Sequence, residues 1–572
     1  MSQRKLKKLR KIHEESVRVI ESYTGPVEKL QFLKIIKENI VFLAIILLAI
    51  IVVFANGMQG DFVSDDYATI LNNPELTEWQ YAFRGGATTY FIHSMVAKVF
   101  GVAPLQYHLS SLVIFMVTCV LAFVLVYHLF GKVVAWLTMS IFIVHPIHVE
   151  AVTWISGKPY LLIAMYVLMS LLLFIKFVET EKIEYFGGMW LFFILGFLTD
   201  NPRPFSLFFI IPLYLWLFKI DIRHNKWFKY WPWLLLPMLL VLVFFWPHIV
   251  SRVTIVNSGT NISESIFYNP FFQYPTGIAK YLQLLWLPID LTLYHTMYIF
   301  PVWLNWLILL SYLGIIIYFS WVDRRYSFAL LFILLAILPS MAPVKVSWLV
   351  AERYAYLGSL GFCLLLGLIF TKIGNFNKYV AGLLLVLLMV FYSIRTVQRN
   401  KDWTTNHLLW VNTCQVSPNS HNAWNNIGDD YDKLKQYDNA IKGFTQSTIV
   451  KPNYADAFHN RANIFFKMGR LDLARESYNT ALYYSPTLYQ TYLSLINIDL
   501  TEKKIDQALE DVNKALKVSP NDPTVNYVLA VVLSQMGENS QAIAVLEGIL
   551  RAYPNHKQAM EALLQLRARS KQ

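Results

Sequence analysis

Between about Asn39 and Ile394 one apolar run follows another with only short polar breaks, and no other feature restricts the fold as strongly. About 20 mostly apolar residues cross the hydrocarbon core of a bilayer, and a long succession of such runs cannot be one cleaved leader. Spans are expected near 39–56, 108–129, 132–148, 159–178, 185–199, 203–219, 229–249, 301–320, 326–343, 355–372 and 378–396. An overall apolar share of 56% against 15% charged residues puts the chain in the membrane class. Beyond Arg399 charge returns at ordinary density, so a second, water-soluble part follows.

Loop charge sets the direction of threading. Arg4, Lys5, Lys7, Lys8, Arg10 and Lys11 crowd the N-terminus, which reads as a cytoplasmic or lipid-facing segment rather than a nucleic-acid surface despite the net charge of +12. The breaks expected on the same side carry Lys132; Glu181 and Lys182; Arg223, Lys226 and Lys229; Arg324 and Arg325; and Lys372 and Lys378. Four of these five are net positive. Counting the apolar stretch 276–298 as a span would throw the last two to the other side. Pro275, Pro288 and Asp290 interrupt that stretch, so it is read as re-entrant or interfacial. An odd number of spans, about eleven, then places the C-terminus outside. The breaks 56–104, 145–158, 200–204, 247–301 and 345–356 share the outer face with most of the unusual polar residues. Ionisable groups gathered there mark a site, because each is costly in lipid unless paired or wet.

The soluble part repeats. Pro418, Pro452, Pro486, Pro520 and Pro554 are 34 residues apart, and Ala440, Ala474, Ala508 and Ala542 keep the same period. Trp424, Phe458 and Tyr492 open three of the units. This is the tetratricopeptide (TPR) pattern: a small Ala lets the two helices of a hairpin approach, a large residue fills the next gap, and Pro ends the second helix. Four helix pairs over about 420–553 and a capping helix are expected, with a concave groove suited to an extended peptide. Asn425, Asn426, Tyr431, Asn460 and Asn463 are its candidate contacts. Cys119, Cys363 and Cys414 form no disulfide framework, so packing alone must hold this part.

Three outer breaks carry chemistry. The acidic pair Asp65-Asp66 can serve as a general base, a metal ligand or a helix cap. His145-Pro-Ile-His148-Val-Glu150, with Lys158 following, suits proton transfer or hydrogen bonding to a polar substrate, or simple helix-end polarity. Zinc is not expected, since no further ligand accompanies the two histidines. Glu352-Arg353-Tyr354 offers a guanidinium at headgroup depth, either to hold a phosphate or as an interfacial anchor; Arg203 and Arg252 allow the same two readings.

The ordered set of residues 61–74, 145–152, 352–357 and Arg399-Asn-Lys-Asp402-Trp403 leading into TPR units resembles the TMTC family and its bacterial relatives, which are multi-span GT-C-type glycosyltransferases with extracytoplasmic repeats. The resemblance implies an all-α chain: a GT-C-like transmembrane bundle followed by an α-solenoid. It implies transfer of a sugar, mannose or another hexose, from a polyprenyl-phosphate carrier to a Ser or Thr hydroxyl of an exported protein docked on the repeats. Asp65 or Asp66 would be the base, Arg353 the leading phosphate ligand, and His145, His148 and Lys158 would shape the donor pocket; no resident cofactor is expected, and a divalent metal is possible but not favoured. Relatives often carry Gly-Arg-Ala-acid where this chain has Gly157-Lys158-Pro159-Tyr160, and Ser-Lys where it has Thr199-Asp200. The expected layout is a cytoplasmic segment 1–38, a membrane domain 39–397, a linker 398–419 and a repeat domain 420–572. The outer sequon Asn261-Ile-Ser263 stands alone. With the lack of disulfides it points to a bacterial inner membrane with the repeats extracytoplasmic, the counterpart in a eukaryote being the endoplasmic reticulum. Competing readings are a non-catalytic scaffold for envelope proteins and a transferase acting on an envelope glycan.

Overall fold

The computed structural model describes residues 29–78, 80, 87–199, 201–220, 243, 250, 269–298, 300–341 and 348–569. Among them there is no strand. The membrane half contains α1 (Phe32–Glu38), α2 (Ile40–Phe54), α3 (Ala87–Phe100), α4 (Pro104–Phe130), α5 (Lys132–Phe142), α6 (Val149–Val152), α7 (Lys158–Thr180), α8 (Ile183–Phe197) and α9 (Ser206–Leu217). It continues with α10 (Pro270–Trp286), α11 (Val302–Val322), α12 (Arg324–Ile337), α13 (Gly358–Phe376), α14 (Lys378–Asp402) and α15 (Asn406–Val416). Six single helical stretches are long and apolar enough to cross a membrane, two bent pairs pass the same test, and two shorter apolar helices accompany them. Each falls on an expected span; of the remaining one, 229–249, only position 243 is among the described residues. The chain is an integral membrane protein. The doubtful stretch at 276–298 becomes the 17-residue α10 followed by irregular chain.

Polar contacts join the ends of the spans in two groups. In one set Leu30 N–H donates to Glu179 (2.7 Å), His128 lies 3.1 Å from Glu179, and Arg324 donates to the Trp216 carbonyl (3.3 Å). In the other, Asn56 donates to the Val397 carbonyl (2.8 Å), His145 meets the Leu285 carbonyl (3.0 Å), and Arg203 meets Ser340 (2.8 Å). Small residues permit the close crossings. A Cβ on Gly361 would stand 2.7 Å from the Ala329 carbonyl oxygen where α13 crosses α12.

Of residues 398–419, expected as a linker, 398–417 are mostly helical and fall in the membrane unit, which runs to Ser417. Arg399, Asn400 and Trp403 are buried, so this segment is structure rather than tether.

The second unit, Pro418–Gln572, is a stack of hairpins. Its helices are α16 (His421–Lys433), α17 (Tyr437–Val450), α18 (Ala455–Lys467), α19 (Leu471–Tyr484), α20 (Tyr489–Thr501), α21 (Ile505–Val518), α22 (Pro523–Gln535), α23 (Asn539–Ala552) and α24 (Lys557–Arg569). The periodic alanines 440, 474, 508 and 542 are fully buried between paired helices. Trp424 and Tyr492 each reach back to the carbonyl of a periodic proline, Pro418 and Pro486 (2.8 and 3.3 Å). The period also fixes the turns: Lys435, Gly469, Lys503 and Gly537 all take positive φ (58°, 73°, 59° and 84°). There the next N–H closes back onto the preceding helix, as from Arg470 to the Phe465 carbonyl (2.9 Å).

A left-handed residue with a Cβ is strained by about 1–2 kcal/mol. Lys503→Gly should therefore stabilise the array and Gly469→Ala should weaken it, by about 1 kcal/mol each. Thermal unfolding of the full chain, followed by protease cleavage within the repeats, checks both signs.

Candidate active site

The first outer loop is tightly held. After Gly60, Ser64 adopts φ 54°, a conformation a serine takes only when its surroundings insist. Asp65 and Asp66 follow, and a single π-helical turn, Tyr67–Leu71, comes next. The two carboxylates diverge. Asp66 is wholly buried: one oxygen accepts from Ser156 N–H (2.8 Å) and the Ser156 hydroxyl, the other from Val63 N–H (3.1 Å). Burial nevertheless lifts its carboxyl to about 7, against those hydrogen bonds. Asp65 is open to solvent, although protein flanks it; desolvation raises its carboxyl and the Arg353 guanidinium opposes this. Asp66 is thus built as an anchor and Asp65 as the exposed acid.

Around them lies a lattice of buried charge. Arg353 pairs with Glu150, which also accepts from the Arg353 N–H (2.8 Å). Glu352, fully buried, accepts from Arg399 (3.1 Å) and from Thr292 N–H, with His295 at 3.6 Å. Arg399 also reaches Asp402 and Asn412, both at 3.1 Å. Glu150, Glu352 and Asp402 each thus have a cation, as a low-dielectric interior demands. Burial lifts Glu352 to about 7 with Arg399 pulling the other way, and burial lowers His295 to about 3.

The aromatic residues organise the cations. Arg353 lies over Trp154 (5.3 Å) and Tyr354 (4.9 Å) and donates to the Tyr160 hydroxyl (3.3 Å). Arg203 lies over the same rings, 3.9 Å from Tyr354 and 4.9 Å from Tyr160. It is half-buried, hydrogen-bonded to Asn201 (2.8 Å) and Ser340, and makes no ion pair among the described residues. Lys158 is buried, donates to Ser110 (2.6 Å) and lies 5.4 Å from the Tyr107 ring.

The structure therefore brings Asp65, Asp66, Glu150, Lys158, Arg203, Glu352, Arg353 and Tyr354 into one region. His145 and His148 are sealed inside. His145 accepts from Ile147 N–H (3.2 Å) and meets the Leu285 carbonyl, and His148 meets the Ser359 hydroxyl (2.8 Å). These bonds brace helix ends and leave neither ring facing solvent. No group of three potential metal ligands occurs among the described residues. Arg252, the Asn261 sequon and Asp200 lie outside the described residues. In the repeats, Asn460 bonds Asn425 (3.1 Å), Asn463 accepts from the Tyr478 hydroxyl (2.6 Å), Asn426 is half-buried, and Tyr431 packs against Ala440, Phe444 and Ile464.

Three contributors carried no role in the sequence reading. Ser156 holds Asp66. Asn400 ties the Val53 carbonyl and Asn56 (3.0 Å each) to Thr153 (2.7 Å). Lys280 is a buried lysine in α10, whose neighbour Tyr281 bonds the Leu349 carbonyl (3.3 Å). A lysine inside an apolar stretch was the available signal for the last.

The family described as "Dolichyl-phosphate-mannose-protein mannosyltransferase" matches residues 87–250, and tetratricopeptide repeat families match 421–454, 455–488 and 499–566. The chain is 32% identical over 108 residues to the mouse "Protein O-mannosyl-transferase TMTC3", a match covering 18% of this chain and 12% of the mouse protein. It is 25% identical over 444 residues to "Protein O-mannosyl-transferase F38B6.6" of Caenorhabditis elegans, covering 68% of this chain and 61% of that one. Among solved structures, "YrrB: a TPR protein with an unusual peptide-binding site" aligns with 34% of this chain and 96% of its own, at 17% identity and TM-score 0.24. The chain is thus similar to proteins named O-mannosyl-transferases, of whose own length these two matches cover 12% and 61%, and it carries tetratricopeptide repeats.

Arg353→Met strands Glu150 in the interior and should cost about 3–5 kcal/mol of stability, whereas the double variant Glu150→Gln/Arg353→Met should lose less than that single change. Melting of the purified chain in detergent reads the difference; additive losses would mean the pair is not coupled.

Proposed function

We propose that this TMTC-like chain is a membrane glycosyltransferase that moves mannose from a polyprenyl-phosphate carrier to a Ser or Thr hydroxyl of an exported protein. The observation that carries the reading is the division of labour in the acidic pair. One carboxylate is buried and spent on anchoring, while its neighbour is open beside arginines stacked on shared tyrosines.

The chemistry follows from that arrangement. An acceptor hydroxyl is a weak nucleophile until a carboxylate takes its proton. Asp65, the open acid, accepts that proton as the hydroxyl oxygen bonds to the anomeric carbon. The bond from that carbon to the carrier phosphate breaks, and its electrons leave with the phosphate. This leaving group departs as an anion and needs positive charge rather than a proton. Arg353 is committed to Glu150, so Arg203, whose charge meets only hydroxyl, amide and aromatic groups among the described residues, is the cation offered to the phosphate. Arg353 then holds the Tyr354 and Tyr160 rings that orient Arg203. A single displacement inverts the anomeric centre, by analogy with inverting glycoside chemistry. Lys158, buried beneath Tyr107 and Ser110, supports the donor side. The repeats present the acceptor, an extended segment along Asn425, Asn460 and their neighbours, which is the usual work of such solenoids.

Replacing Asp65 by Asn should lower O-mannosylation of exported proteins about 10²- to 10⁴-fold, the usual contribution of a positioned base. Mass spectrometry of the exported proteome measures this; glycosylation equal to wild type would favour a scaffold. Asp66 anchors the loop most strongly as a carboxylate, and burial lifts it to about 7. Transfer should therefore rise with pH, reach half its maximum near 7 and level off above. Asp66→Asn should flatten that rise at a lower overall rate. A profile unchanged by the substitution would assign the limb to another group.

A further inference from the structure

The conformation of the first outer loop is imposed from a distant part of the chain. Asn406, the first residue of α15, accepts a hydrogen bond from Ser64 N–H through its side-chain oxygen (2.8 Å). Ser64 is the residue with φ 54°, directly before Asp65. Two residues before Asn406, the Thr404 carbonyl accepts from Asp61 N–H (2.9 Å). Gly60 lies against this strip so closely that a Cβ would stand 3.2 Å from both Thr404 Cα and the Trp403 carbonyl oxygen. Trp403 in turn stacks on Trp154, with centroids 5.4 Å apart and planes 27° from parallel. Residues 403–406 therefore form a template on which 60–64 is moulded.

From this juxtaposition we infer that Asn406 is a positioning residue for Asp65: by holding the left-handed turn at Ser64, it sets the direction in which the Asp65 carboxylate leaves the loop. Without that bond Ser64 can relax to negative φ, which rotates the chain at the point where Asp65 begins. Asn406 does not touch the reacting groups. It also lies on the path by which the chain enters the repeats, since α15 ends at Val416 and the first repeat helix begins at His421. Alignment of the base is thus made to depend on the segment that carries the repeat domain.

Glycine takes positive φ without penalty, and this provides a test that a merely structural role would not pass. The full chain is reconstituted in phosphatidylglycerol vesicles with dolichyl-phosphate mannose as donor and a threonine-rich synthetic peptide as acceptor probe. Asn406→Ala should lower kcat about 10²-fold, the usual cost of misplacing a reacting group by about 1 Å, with donor KM unchanged. It should also speed amide exchange at Asp66–Thr69, beyond the bond that was removed. Adding Ser64→Gly to Asn406→Ala should recover at least about tenfold of the rate and slow the exchange again, because the turn no longer needs its clamp. Unchanged kcat and exchange in Asn406→Ala, or a double variant no better than the single, overturns the proposal. The activity arm rests on the proposed transferase reading and the exchange arm does not. A wild-type chain without transfer would refute that reading, while exchange alone would still decide the role of Asn406.

Discussion

Two carboxylates placed in the interior of the membrane half govern its architecture. Glu150 and Glu352 are fully buried, and each must meet a cation or leave its charge uncompensated. Arg353 and Arg399 answer them from the late loop and from the end of the last span. Since Glu150 follows the third span, the two pairs together tie three separate parts of the chain at one face. The Asn400 bonds to Asn56, Val53 and Thr153 add the first loop to the same knot. A buried ion pair contributes little net stability against an apolar substitute, so its value here is in fixing which loops meet.

The proposed function is built on that fixed meeting. Glycosyl transfer from a lipid phosphate needs a carboxylate at the acceptor, a cation at the leaving group and little freedom between them. The lattice consumes most of the charge in the region and leaves two groups less constrained: Asp65, open to solvent, and Arg203, stacked against Tyr354 and Tyr160. The same pairing that closes the interior therefore selects which residues remain available for chemistry.

How much of this the sequence disclosed follows from range. The spans and the repeats were legible because each is a periodic, local signal; the 34-residue period even extends to the left-handed turns at Lys435 and Lys503. The outer polar breaks were legible as a group, because ionisable residues between apolar runs stand out. Their partners were not. Arg353 read as a phosphate ligand since nothing in sequence reveals that Glu150, 203 residues away, takes its guanidinium. The histidine pair read as pocket residues, yet His145 and His148 are sealed by contacts to Leu285 and Ser359. The stretch 398–419 read as a linker between the two parts; the burial of Arg399, Asn400 and Trp403 makes sense only beside the loops they hold.

The proposed function requires the charged lattice and the open carboxylate to lie across the bilayer from the basic N-terminus. The three native cysteines are buried, so a cysteine introduced at an exposed site reports its own side of the membrane. In sealed right-side-out vesicles, a membrane-impermeant maleimide should label Asp65→Cys directly and Lys132→Cys only after the membrane is opened. Equal labelling of both before opening, or labelling of Lys132→Cys alone, would contradict the arrangement on which the proposed chemistry stands.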